Sequence, residues 1–178
     1  MVLVLTGPVH GGKTTFLEGA WPRWSARGLS CAGFLSPAVT DEAGRAGYDL
    51  LEIPSLLRRP FLRQRGGPEA ERTGPFAFIP GALERARAIL RDPGRPDLLV
   101  VDEVGPLELE GGGLWPSLRD VIRRPGGAVL LVVRETIVAD LAAAITPLVP
   151  VVFDVRDPGE RGLLDERLFT SAERPRNP

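Results

Sequence analysis

The chain has 178 residues, 43% of them hydrophobic and 25% charged, with a formal net charge of −1. That length suits one domain with a sizeable core and is short for two. A charge so near zero gives no general field to draw in nucleic acid or an anionic membrane.

Cys31 is the only cysteine, so no intrachain disulfide can form. No basic leader precedes the first apolar run, and the longest clean apolar run, 128–133, is too short to span a bilayer. A cytoplasmic location without membrane contact is expected.

In chain order, residues 2–5 (VLVL) read as a buried strand, 7–12 as a glycine loop, and Lys13 to about Ser25 as a helix with Phe16, Leu17, Ala20 and Trp24 at helical spacing. Residues 31–37 and 48–53 are strand-like around a turn-forming 40–47, which predicts a β-hairpin. The Arg-, Gly- and Pro-rich stretch 54–75 reads as an irregular surface loop, 76–79 as a short strand and 80–90 as a helix with Pro80 in its first turn. Strands follow at 98–105, 128–133 and 151–155, and helices at 114–124, 136–145 and 160–169. Residues 1–170 are read as one domain and 171–178 as a frayed tail. Continuous apolar strands alternating with helices imply an α/β fold, a mostly parallel sheet covered on both faces. The hairpin then makes one edge mixed or adds a lobe.

Of the 22 basic residues only Lys13 is a lysine. It closes the run Gly7-Pro8-Val9-His10-Gly11-Gly12-Lys13-Thr14, which fits G-x-x-x-x-G-K-[ST], with Thr15 next. At this composition the pattern arises by chance in roughly one chain in a thousand. Glycines let backbone N–H groups turn inward onto phosphate oxygens, and the following helix adds its positive end. Lys13 can reach the terminal phosphates and Thr14 can ligate Mg²⁺. Residues Gly7 to Thr15 are therefore the candidate nucleotide-binding loop.

The strand 98–101 (LLVV) delivers Asp102 and Glu103 at its C-terminal end, where open α/β sheets bind ligands. Asp102 is the candidate metal partner of Thr14. Glu103 is the candidate general base toward water in line with the γ-phosphate; the alternative is a surface carboxylate. About 90 residues separate the motifs. That suits RecA-like P-loop folds in which another strand lies between the two motif strands, and favours hydrolysis over transfer to a second substrate.

These segments, with 33–34 (GF), 45–50 (RAGYDL), 100–109 (VVDEVGPLEL), Arg58-x-Pro60-x-x-Arg63 and Gly74, resemble the small P-loop nucleoside-triphosphatases first described from thermophiles, which have a human cancer-related relative. The resemblance spans nearly the whole chain. It implies a RecA-type core with a β-hairpin insertion and Mg²⁺-dependent hydrolysis of ATP, GTP and other nucleoside triphosphates to the diphosphate and phosphate, with loose base preference. It also implies a second nucleotide-contacting segment at 98–105, ending on Gly105. Pro106 stands where the family often has lysine, Glu160 where it has asparagine before Arg161, and His10-Gly11 where Gly-Val is commoner.

Secondary candidates each have a plainer reading. Arg134, at the end of 128–133, either stabilises the transferring phosphoryl group as an arginine finger in cis or makes a surface ion pair with Glu135 or Asp140. Glu108 orients a water or an arginine, or is a solvated carboxylate. Arg161 lies near a base or simply opens the last helix against its dipole. His10 touches phosphate or ribose, or points to solvent. Arg58, Arg59, Arg63 and Arg65 guide phosphate or contact RNA, or form a solvated run beside Glu69 and Glu71. Trp21, Trp24 and Trp115 are expected to pack, and Cys31 to be buried and inert. Besides a triphosphatase, a nucleotide-gated switch or assembly factor with a protein partner, and a small-molecule or nucleotide kinase, remain open.

Overall fold

The computed structural model describes residues 1–42, 44–64, 70–124 and 126–172. In chain order they form β1 (Val2–Thr6), α1 (Lys13–Ala26), β2 (Cys31–Leu35), β3 (Ala38–Asp41), β4 (Gly44–Ile53), β5 (Arg58–Arg63), β6 (Arg72–Thr73), β7 (Phe76–Phe78) and α2 (Pro80–Arg91). Then come β8 (Leu98–Val104), α3 (Pro106–Leu109), α4 (Trp115–Val121), β9 (Ala128–Val133), a 3₁₀ turn (Glu135–Ile137), α5 (Val138–Ala144), β10 (Val151–Asp154) and α6 (Pro158–Ala172).

The strands join in one sheet in the order β10-β1-β9-β8-β2-β4-β5-β7-β6, with β3 also on β4. From β10 to β2 every pairing is parallel, and from β2 onward every pairing is antiparallel. β9 lies between β1 and β8, the intervening strand expected from the motif spacing.

The apolar runs are buried on both faces, and their period of two divides them between two cores. Val2, Val4, Leu99, Val101, Val129 and Leu131 pack on one side with Leu83 and Ala86 of α2, Leu118 of α4 and Leu141 of α5. Leu3, Leu5, Leu98, Val100, Leu130 and Val132 pack on the other with Leu17 and Trp24 of α1 and Leu164 and Leu168 of α6. Trp24 also donates its Nε1–H to Asp165 at 2.7 Å. Cys31 is buried, and burial pushes its thiol up to about 11, as befits an inert packing residue.

Four expectations are corrected. The stretch 54–75 is not all loop: Arg58–Arg63 is a full strand between β4 and β7, and Arg72–Thr73 pairs with β7. Its arginines hid it, because their charges are neutralised by Asp49 and Glu52 on β4. The turn is narrower than 40–47, since β4 begins at Gly44; the expected pairing of 31–37 with 48–53 holds, with β2 antiparallel to β4 on one side and parallel to β8 on the other. The helices at 114–124 and 136–145 are shorter than expected, the second opening as a 3₁₀ turn. α6 runs Pro158–Ala172, longer than the expected helix 160–169; residues 173–178, with Arg65 and Glu69, lie outside the described residues.

Candidate nucleotide site

β1 is buried along its length and releases the chain at Gly7 toward α1. Gly12, the N-cap of α1, has φ 79°, a left-handed conformation that glycine adopts without steric cost. No side chain caps α1 and no acidic residue occupies its first turn. The orphan N–H groups and positive end of the helix are thus left for an anion. Lys13 Nζ donates to the carbonyls of Gly7 (3.0 Å) and Pro8 (2.8 Å), resting on its own loop. Burial lowers its pKa, against the pull of Asp102.

Asp102 is 1% exposed at the end of β8. Its Oδ2 accepts from the Ser36 N–H at 2.9 Å, and the neighbouring Thr14 side chain favours the charged form of the same carboxylate. Ser36 Oγ donates to the Asp102 carbonyl at 3.1 Å, which fixes the strand end. Burial, with Glu103 adding repulsion, pushes the carboxyl up to about 6. A buried carboxylate so destabilised as an anion is served by a cation beside it.

Glu103 has φ 80°, and the β8–β9 register shifts between Val101 and Val104. This bulge re-aims a side chain at the sheet's ligand-binding end. The Glu103 carboxylate lies 3.4 Å from the Arg134 guanidinium. Burial raises its pKa and Arg134 opposes the rise. Arg134 therefore pairs with the candidate base itself, and not with Glu135 or Asp140.

These groups line a cleft of about 390 Å³, together with Val9, His10 and Thr15. A second cleft of about 290 Å³ shares Tyr48, Glu103 and Arg134 with it, so the carboxylate is reached from two sides. Gly7 and Pro8 serve through their carbonyls on Lys13. Gly105 does not line the cleft; its N–H is held by Glu108 at 2.9 Å. Glu108, 2% exposed, also accepts from the Leu114 N–H at 3.2 Å. It is not the solvated carboxylate of the plainer reading but a buried brace across the turn after β8. Arg161 lies over the Phe16 ring, 5.8 Å from its centroid, and not in the cleft.

Sequence reasoning did not assign Ser36, Arg45 and Tyr48, which also line the cleft, as does Arg58 of the arginine cluster. The 45–50 segment stands out in the sequence only through the family resemblance. The spacing of Arg45 and Tyr48 puts them on opposite faces of a regular strand. The β3–β4 register shifts between Val39 and Thr40, with Ala46 as the extra residue, and the two side chains share one face. The arginine cluster resolves into ion pairs: Arg58 and Arg63 with Asp49 (2.8 and 2.6 Å), Arg59 with Glu52 (3.0 Å).

Among the described residues no group of three or more His, Cys, Asp or Glu side chains forms a metal cage. The oxygen pair of Thr14 and Asp102 fits a hard cation that draws its other ligands from phosphate and water.

A family model described as NTPase matches residues 2–168. The nucleoside-triphosphatase THEP1 of Methanopyrus kandleri is 29% identical over 78% of this chain and 78% of its own. The cancer-related nucleoside-triphosphatase homolog of Bos taurus is 32% identical over 71% of each. A solution structure of a human cancer-related nucleoside triphosphatase superposes with a TM-score of 0.69 at 25% identity, covering 98% of both chains. THEP1 from Aquifex aeolicus shares the fold, with a TM-score of 0.63 at 22% identity over 98% of this chain and 100% of that one. With the loop before α1 and the carboxylates at the end of β8 set as described, the chain belongs to this NTPase family.

Proposed function

We propose that this chain hydrolyses nucleoside triphosphates, ATP and GTP among them, to the diphosphate and inorganic phosphate, with Mg²⁺ and little base preference. One juxtaposition carries the reading. The uncapped start of α1, with Lys13, faces the bulged end of β8, which presents Asp102 and Glu103.

The free N–H groups of the loop and first helical turn bind the phosphate oxygens. Lys13 exchanges the Gly7 and Pro8 carbonyls for the terminal phosphates. Thr14 and Asp102 would hold Mg²⁺, which when bound neutralises charge on the β- and γ-phosphate oxygens. Glu103 accepts a proton from water as the water oxygen bonds to the γ-phosphorus and the β–γ bridging bond breaks; the electron pair leaves on the diphosphate. Arg134 holds Glu103 and is placed to offset the charge gathering on the phosphoryl oxygens. The cleft is built around the loop, Lys13, Asp102 and Glu103, and Arg161, the residue expected beside a base, packs on Phe16 instead; this supports loose base preference. Among the described residues no helix is long and apolar enough to cross a membrane, which suits an enzyme drawing on the cytoplasmic nucleotide pool.

The test is phosphate release from ATP, GTP and CTP, with and without Mg²⁺. Lys13→Ala should abolish measurable nucleotide binding. Glu103→Gln should keep binding and lose about 10²–10⁴ in turnover. Full turnover in Glu103→Gln, or release that ignores Mg²⁺, would overturn the mechanism.

A further inference from the structure

The β3–β4 hairpin carries a cation, Arg45, that none of the carboxylates among the described residues pairs with. Arg45 lines the cleft, and among the described residues no carboxylate lies within ion-pair distance of it. Its guanidinium donates to the Tyr48 hydroxyl at 3.1 Å and approaches His10 Nδ1 at 3.2 Å, both uncharged partners if the imidazole accepts. Its Nε is buried and has no hydrogen-bond partner. A buried donor on a charged group is costly to leave unmet, and such exceptions call for an explanation. Arg59 Nε is likewise unpartnered, but its guanidinium meets a carboxylate: Arg58, Arg59 and Arg63 all pair with carboxylates of β4, and Arg134 with Glu103.

The backbone directs this side chain into the cleft. The bulge at Ala46 brings Arg45 onto the face of Tyr48, and the guanidinium carbon lies 5.3 Å from the Tyr48 ring centroid. Tyr48 is itself braced edge-on by Phe76, with centroids 5.4 Å apart. At Gly47, between them, a Cβ would come within 2.1 Å of the Leu62 carbonyl oxygen, so only glycine lets β4 and β5 close behind the pair.

Position along the cleft identifies the missing anion. Tyr48 lines both clefts beside Glu103 and Arg134, so the Arg45–Tyr48 pair stands at the end occupied by the candidate base. The phosphorus attacked there is the terminal one. The phosphates nearer the nucleoside fall to the loop and the helix end, and Lys13 reaches the terminal ones from the loop side.

We propose that Arg45 binds the γ-phosphate and is the residue by which the hairpin distinguishes a nucleoside triphosphate from a diphosphate. Its contact with His10 then joins the hairpin to the phosphate loop, so that a third phosphate fastens the two together. This inference rests on the triphosphatase reading, and its test separates the two.

Affinities for ADP and for a non-hydrolysable ATP analogue, each with Mg²⁺, are measured by calorimetry on wild type, Arg45→Ala, Arg45→Lys and Lys13→Ala. Wild type should prefer the analogue. Arg45→Ala should lose about 10- to 100-fold toward the analogue, as expected for a charge-assisted contact, and less than about twofold toward ADP. Arg45→Lys should recover part of the preference. Parallel losses for both ligands, no loss in Arg45→Ala, or no preference in wild type would overturn the role given to Arg45. Absence of any nucleotide binding in wild type would instead overturn the triphosphatase reading beneath it.

Discussion

Glu103 holds a left-handed backbone conformation that an L side chain adopts at a cost of about 1–2 kcal/mol. The carboxylate is aimed at the cleft by a backbone that would relax without it. Glu103→Gly should therefore be more stable to urea than Glu103→Ala by about 1 kcal/mol, while both lose turnover. Equal midpoints would show that the bulge carries no strain. The loop and the two carboxylates were legible beforehand because each is local: glycines, a lysine and a threonine in one short run, two acids at the end of an apolar strand. Arg45, Tyr48 and Ser36 were not, because their placement depends on cross-strand register. Ser36 reaches Asp102 across the β2–β8 pairing, and Arg45 reaches the cleft through one extra residue in a hairpin.

At the scale of elements, buried charges fix the two segments that flank the site. Glu52, 3% exposed on β4, accepts both Nε and NH2 of Arg85 from α2 and pairs with Arg59 of β5. Above all, the Arg85 hydrogen bonds hold its carboxyl below the usual range. A lowered carboxyl stabilises the fold at neutral pH and loses that contribution as pH falls through its folded value. Glu52→Gln should cost about 2 kcal/mol at pH 7. The gap between the two urea midpoints should narrow as pH drops below about 4; a constant gap would argue against the ion pair. Glu108→Ala removes the acceptor of two backbone N–H groups and should cost about 2–4 kcal/mol, partly restored in Glu108→Gln. The strand at 58–63 escaped sequence reasoning for the same reason that it is stable. Only Phe61 and Leu62 are buried in it, and its remaining stability comes from carboxylates that lie elsewhere in the sequence. Pro60 further disguised it, since proline argues against an interior strand; it sits opposite Asp49, where the β4–β5 register shifts.

Across the whole molecule, the parallel half of the sheet presents the loop, the carboxylates and Arg134 at one rim, and the antiparallel half brings the hairpin to that rim. Ligand in the cleft should therefore stabilise both halves together. At a concentration one hundred times its dissociation constant, nucleotide should add about 2.7 kcal/mol. For a chain of this size that is a rise in Tm of about 5–10 °C. Scanning calorimetry should show one shifted transition in wild type and almost none in Lys13→Ala; two separated transitions would mean that the halves unfold independently. The parallel architecture was readable from apolar strands alternating with helices, whereas the strand order beyond β2 was not, because antiparallel neighbours are chosen by side-chain pairing across the sheet. The outermost strands, β6 of two residues and β10 of four, are among the shortest in the sheet. A strand that brief exposes too few backbone donors and acceptors to template a foreign segment, so a broad sheet ends in borders that discourage accretion of further chains.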